Sequence, residues 1–332
     1  MSEKRLFFIV LISLFLITQG VYLLTLLPDI GWGDGPELTT AAYTLGVSHP
    51  TGYPLYTQLT HLISKAGGVN SVAWRVNYFS ALSASFAVLM VYFILCRHFL
   101  KIFIENRFKI IIAGAGSLLF AFSSIFWAQS ITAEVYSFQL LLMLLALSAM
   151  LEWSNRWEER YLFTGLLFLG LGFTHHLLTV ILIPPLLLFL YSKKNNFLII
   201  NPQTLHSITF FLLGYMGIIY LAIRSAYFPV MNWGNVQTFP AFVEMVSGGQ
   251  FKLRMASTNP GMGMSNKHQY LNIMTDDFLR FGVSLWGQFV PRQMYYGIIS
   301  IWLQLLLNLS ISGLSLRGLF TLWNNKRLFF WT

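Results

Sequence analysis

The chain has 332 residues, 56% of them hydrophobic and only 10% charged, with a mean hydropathy of +0.63. A soluble domain carries roughly 25% charged residues, and 30 Phe with 10 Trp exceed what one aqueous core of this size can hide, so a soluble globular protein is excluded. The net charge of +9 comes from small basic groups scattered between apolar runs, a pattern of membrane orientation signals rather than a nucleic-acid surface.

In chain order, the first apolar run covers about 6–27, behind Lys4 and Arg5. It is too long for a cleaved leader and reads as an uncleaved first span. Further spans are expected at about 77–96, 110–127, 131–151, 161–176, 177–191, 205–223 and 294–313, giving about eight crossings of an all-α polytopic bundle. The whole chain, 1–332, reads as one membrane domain with a first outer loop at 28–76 and a long outer loop at 224–293. The closing LFFWT, after Lys326 and Arg327, reads as the start of another span. Cys96 stands alone, which excludes an internal disulfide and a multi-cysteine metal site.

The basic residues orient these spans. Lys4, Arg5, Arg97, Lys101, Arg107, Lys109, Arg156 and Arg160 fall on the N-terminal side, whereas the first opposite loop holds only Lys65 and Arg75. The charge rule therefore predicts a cytoplasmic N terminus and outward-facing long loops. Asp29, Asp34, Glu37, Glu134, Glu244, Asp276 and Asp277 all map to the outer side, as do His49, His61, His175, His176 and His268. Chemistry is expected on that face.

Within the first outer loop, Asp34-Gly-Pro-Glu37 has the spacing of a helix start, with Asp34 as cap and Glu37 at the capping-box position. Leu38, Ala41, Ala42 and Leu45 follow at helical spacing, and Gly46 is the expected stop. A second helix is expected from Pro54, with Leu55, Leu59, Leu62 and Ile63 on one face and Gly67 as its stop. Two amphipathic helices lying on the outer membrane surface, joined by the turn His-Pro-Thr-Gly-Tyr-Pro, are the result. Asp34 and Glu37 read equally as helix caps and as carboxylates presented to a substrate.

The segment GDGPELTTAAYTLGVSHPTGYPL, with WRVNYFSAL at 74–82, FWAQSITAEVYSF at 126–138, GLGFTHHLL at 170–178 and RSAYFPVMNWGNVQTFPAFVEMVSGGQF at 224–251, resembles a family of polytopic proteins. It looks like bacterial relatives of transmembrane protein 260, an endoplasmic-reticulum protein O-mannosyltransferase. The resemblance implies a GT-C fold and transfer of a sugar, with mannose as the candidate, from a polyprenyl-phosphate lipid to an acceptor hydroxyl. The implied setting is a bacterial inner membrane with the active site outside. In that superfamily the essential acid lies in the first outward loop, which maps it to Asp34 and, second, Glu37. Pro36 and Thr51 depart from the commoner residues of the family pattern.

Sugar transfer of this kind needs a carboxylate to take the acceptor proton and donors or cations to meet the leaving phosphate. Asp34 is expected as base with Glu37 as helper. Arg75 and Arg224, at expected outer boundaries, are phosphate candidates or snorkelling interfacial arginines. His49, Tyr53, His175 and His176 are candidates for phosphate or sugar hydroxyls, although a histidine pair also satisfies helix ends. Glu134, placed in the first turns of an apolar span, and Tyr136 are candidate sugar contacts. Asn232 and Trp233 offer an amide and a stacking ring for a sugar, or an interfacial anchor. No obligatory metal or cofactor is expected beyond the lipid-linked donor. The expected partners are that lipid, a protein or glycan acceptor and membrane lipids, with no nucleic acid. A lipid or sugar transporter is the competing class. It predicts repeated halves and charges at the midplane, against the one-sided acids and histidines seen here.

Overall fold

A computed structural model describes residues 1–31, 33–68, 70–100, 107–192 and 202–249. Of the two compact units into which the chain divides, one is Met1–Leu188 with Asn195–Lys252; the other, Phe189–Lys194 with Leu253–Thr332, falls almost wholly outside the described residues. All regular elements among the described residues are helical: α1 Glu3–Leu24, α2 Gly35–Thr44, α3 Pro54–Lys65, α4 Val72–Ile94, α5 Phe108–Ala121, α6 Ser124–Ser130, α7 Tyr136–Arg156, α8 Glu159–His175, α9 Ile183–Ser192, α10 Pro202–Tyr215, α11 Tyr220–Ala226 and α12 Phe239–Ser247.

Among the described residues, four segments are long and apolar enough to cross a membrane: Glu3–Leu24, Val72–Phe99, Tyr136–Arg156 and Leu205–Ala226. The first shows why. Its inward stripe is Leu14, Thr18, Gln19 and Tyr22, while Phe8, Ile9, Ile12, Leu16 and Ile17 stay exposed. A helix that leaves its bulkiest side chains outside is built for lipid, not water.

The other expected spans differ. The run at 110–127 is two helices, α5 and α6, bent by 69° where Ser123 is extended at the start of α6. Trp127 of α6 turns back to donate from Nε1 to Thr25 Oγ1 at 3.0 Å. The run at 131–151 becomes helical only at Tyr136, so Glu134 sits in a loop before α7 rather than inside a span. Helix α8 has 17 residues, about 26 Å at 1.5 Å per residue. The run at 177–191 is a 3-10 turn, Leu177–Leu182, followed by α9, whose first turn holds Pro184 and Pro185. Proline lacks the N–H that would continue the preceding turn into the helix. The expected span at 294–313, and Asp276, Asp277 and His268, lie outside the described residues.

Helices α8 and α10 approach through glycines. A Cβ on Gly170 would collide with the Phe211 carbonyl and one on Gly214 with the Leu167 carbonyl, and Thr174 Oγ1 donates to the Gly214 carbonyl at 3.0 Å. Small residues let helix backbones touch where lipid offers no hydrophobic drive for association. Gly170→Leu is therefore expected to cost at least about 3 kcal/mol, read as a lowered thermal midpoint in detergent.

The two short helices do not lie on the surface as expected; they pack into the end of the bundle. Leu38, Ala41 and Ala42 of α2 are fully buried, and the buried face of α3 is Tyr56, Thr57, Thr60 and Ser64. Leu55, Leu59 and Ile63 are only partly buried against the core and Leu62 is exposed. Two of the small hydroxyls are satisfied along their own helix, Thr60 Oγ1 by the Tyr56 carbonyl and Ser64 Oγ by the His61 carbonyl, each at 2.7 Å. His61 Nδ1 meets the Ala42 carbonyl at 2.7 Å, tying α3 to α2.

The WRVNYFSAL segment supplies the pegs for this end of the bundle. Asn77 Nδ2 donates to the Leu27 and Asp29 carbonyls, at 2.8 and 3.1 Å. Ser80 Oγ donates to the Glu134 carbonyl at 3.2 Å and accepts the Glu134 N–H at 3.3 Å. Loops 27–29 and 131–135 are thus fixed to α4 from below.

Candidate functional site

Asp34, at the N-cap position of α2, makes no side-chain cap bond, and its side chain is 49% exposed. Glu37 does not close a capping box either. It turns to the following loop, where its Oε1 accepts both the backbone N–H and the ring Nδ1–H of His49, the latter at 3.0 Å. The helix N-terminus leaves its carboxylates for other partners.

The loop that carries His49 is held in place by glycines and by a bridge. The left-handed residue ending α2 is Leu45, not Gly46. Gly46 is needed for a different reason: a Cβ there would lie 2.7 Å from the Met231 carbonyl. That close approach lets Val47 N–H donate to Met231 and Trp233 N–H to Val47, at 2.8 and 3.0 Å. Gly52, at φ +86°, likewise sits where a Cβ would strike Leu221.

His49 is the hub. Its Nε2 lies 2.8 Å from Tyr53 Oη and 3.7 Å from Asp34 Oδ2, and its ring meets Trp233 edge-on at 6.3 Å. Burial opposes a charge on this ring, but the bond to Glu37 and the charges of Glu37 and Asp34 outweigh it and raise the pKa. Burial also works against the Glu37 carboxylate, and the side-chain and backbone bonds from His49 overcome it and lower its pKa. The contact favours the imidazolium–carboxylate form of the pair.

Glu134 faces the same space. A Cβ on Gly33 would lie 3.9 Å from its Oε1, while its Oε2 is buried with no hydrogen-bond partner. Burial and then the Asp34 charge push its carboxyl up to about 7, against the Val135 amide bond and the His49 charge. Because the folded-state pKa is raised, the ionised form weakens folding, and stability declines as pH rises from about 4.5 through 7. Glu134→Gln should remove that decline, so the fall of several degrees in the wild-type melting temperature across this range should flatten in the variant.

Aromatic rings close the back of the site. His176 stacks on Tyr53 at 5.5 Å and 8°, with Tyr136 tilted beside it at 5.8 Å. His176 Nδ1 accepts the Leu178 N–H. His175 is fully buried behind Tyr53, its Nε2 on the Val135 carbonyl at 2.9 Å and its ring 5.0 Å from Phe138. It braces the loop that presents Glu134.

The structure therefore gathers Asp34, Glu37, His49, Tyr53, Glu134, Tyr136, His176 and Trp233, with His175 as a strut. Arg75 and Arg224 are placed otherwise. Arg75 donates to the Ser64 and Asn70 carbonyls, closing the end of α3. Arg224 donates to the Leu45 and Thr44 carbonyls, closing the end of α2. Each cation complements a helix C-terminus. Asn232 is bonded to Ser225, whose Oγ donates to Asn232 Oδ1 at 2.7 Å. It shapes the loop beside Trp233. Sequence reasoning did not single out Asn77, Ser80, Ser225 or Tyr220, whose Oη donates to the Gly46 carbonyl at 2.8 Å; these hold the site loops. Polar residues three apart on an apolar helix, 77 and 80, are the signal that would have found two of them.

Residues 34–198 match the family described as protein O-mannosyl-transferase TMEM260 N-terminal domain. The match begins at Asp34 and takes in the whole cluster except Trp233. This chain is similar to the TMEM260 protein O-mannosyl-transferases. Protein O-mannosyl-transferase TMEM260 of Mus musculus is 28% identical over 281 residues, 80% of this chain and 38% of its own length. The Dictyostelium discoideum protein of the same name is 26% identical over 260 residues, 70% of this chain and 30% of its own. The chain thus spans about a third of the length of these curated relatives. No solved structure is significantly similar.

Proposed function

We propose that the chain is a membrane mannosyltransferase of GT-C type that moves a sugar from a polyprenyl-phosphate lipid to an acceptor hydroxyl on the non-cytoplasmic side of a bacterial inner membrane. The observation that supports this most strongly is Asp34: a carboxylate at a helix N-terminus, spared from capping, 3.7 Å from His49 Nε2 and beside Glu134. The names of the TMEM260 relatives supply the sugar and a protein acceptor.

In this reading the acceptor oxygen attacks the anomeric carbon as the bond from that carbon to the phosphate oxygen breaks. The acceptor proton passes to Asp34, and the phosphate leaves with the bonding pair. Asp34 acts as general base, a role worth about 10²–10⁴-fold in rate. His49, charged through Glu37, stands next to the reacting centre as the cation that the departing phosphate meets. Glu134 in its protonated form donates to a sugar hydroxyl, and Trp233, Tyr53 and Tyr136 flank the ring. A single displacement inverts the anomeric centre, by the facial logic that separates inverting from retaining glycosidases.

The test is direct. Purified protein in lipid, supplied with radiolabelled polyprenyl-phosphate mannose and a Ser/Thr-rich peptide, should transfer label to the peptide. Movement of the lipid or sugar across the membrane without bond transfer would instead favour a transporter.

A further inference from the structure

A cavity lies at the end of the bundle away from the Asp34 cluster. Its volume is about 750 Å³, and its polar wall holds Lys4, Arg97, Lys109 and Arg156 against two carboxylates, Glu3 and Glu152. Helix α7 begins at Tyr136 beside the candidate transfer site and ends at Arg156 in this wall. Its 21 residues separate the two sites by about 30 Å, the depth of a bilayer core.

The lining itself brings four cations to two carboxylates. One of these, Glu152, accepts from both Arg97 Nε at 2.9 Å and Arg156 Nε at 2.8 Å, while Arg156 Nη1 also lies 3.8 Å from Glu158 Oε1 outside the lining, so Arg97 shares its one carboxylate. Glu3 is taken by Lys109, and Lys4 forms no ion pair among the described residues. The backbone is built to the same end: the residues after α4, Leu95–Phe99, form a π-helical turn that carries Cys96 and Arg97 into the wall. Such turns are rare and concentrate at functional positions. Most of the remaining lining, including Phe93, Leu145 and Phe168, is apolar, with the hydroxyls of Ser148, Tyr161 and Thr164 among it.

We propose that this cavity is a binding site for the phosphate headgroup of an anionic membrane lipid, in the leaflet opposite the transfer site. The cations hold the phosphate and the aromatic and aliphatic wall receives the upper acyl chain. Guanidinium forks suit phosphate geometry, and a water-soluble anion would leave the apolar wall unused. This site stands independently of the transfer reaction.

Native mass spectrometry of the protein released from phosphatidylcholine nanodiscs doped with phosphatidylglycerol tests it. The wild type should retain phosphatidylglycerol in preference to phosphatidylcholine, and millimolar inorganic phosphate should leave that retention unchanged. Lys4→Gln, an exposed change that leaves the fold intact, should reduce retention roughly fivefold. Ala149→Phe, which fills the cavity, should abolish it, and Lys65→Gln at the other end should have no effect. Equal retention of the two lipids, wild-type retention in Lys4→Gln, or displacement of the lipid by inorganic phosphate would each overturn the assignment.

Discussion

Asp34→Asn is expected to lower sugar transfer by about 10²–10⁴-fold while changing thermal stability by no more than about 0.5 kcal/mol. The separation follows from geometry. An N-cap aspartate that bonded its helix would couple activity to stability, and its replacement would cost about 1 kcal/mol. Asp34 makes no such bond, and half of its side chain faces solvent. Asparagine keeps its shape but cannot accept the proton. Parallel measurement of peptide mannosylation and melting temperature checks both halves, and a variant that melts early without losing turnover would assign Asp34 to the fold instead.

Glu37→Gln is the second large effect, and its signature is in pH. The raised pKa of His49 means that the charged ring is present at low pH and is lost as pH rises through its folded-state value. Activity that depends on the imidazolium should therefore fall on the alkaline side. Removing the Glu37 charge withdraws the main support for that pKa, so the fall should move to lower pH in Glu37→Gln. At neutral pH the rate should drop by about 10²–10³-fold, the usual cost of losing one donor to developing charge. Stability follows the same signs. The contribution of His49 is complete below its ordinary value of 6.5 and is lost as pH rises through the raised one. That of Glu37 is complete above its ordinary 4.5 and is lost as pH falls through the depressed one. Wild-type pH–rate and pH–melting profiles set against those of Glu37→Gln measure both.

Much of this site was legible in the order of residues. Charges are costly in so apolar a chain, and of the acids and histidines that charge asymmetry put on one face, Asp34, Glu37, His49, Glu134, His175 and His176 do converge. The helix starts at Gly35 and Pro54 also follow their sequence signals. What could not be read was how each polar group spends its bonds. Spacing makes Glu37 a capping-box residue, but a turn twelve residues later brings His49 to it, and a non-local contact of that kind leaves no periodic trace. Arg75 and Arg224 look alike at the membrane boundary, and only tertiary packing shows both closing helix ends. The run at 110–127 has the hydropathy of one span, because a 69° bend at Phe122 and Ser123 changes direction without changing composition.

The most direct measurement is photo-crosslinking with a polyprenyl-phosphate mannose that carries a diazirine on the isoprenoid next to the phosphate, followed by mapping of the labelled peptides. Label should appear in the segments around His49–Tyr53, Glu134–Tyr136 and His175–His176, and unlabelled donor should compete it away. Competed label confined to the far end of the bundle, around Arg97 and Arg156, would contradict the placement of transfer at the Asp34 cluster.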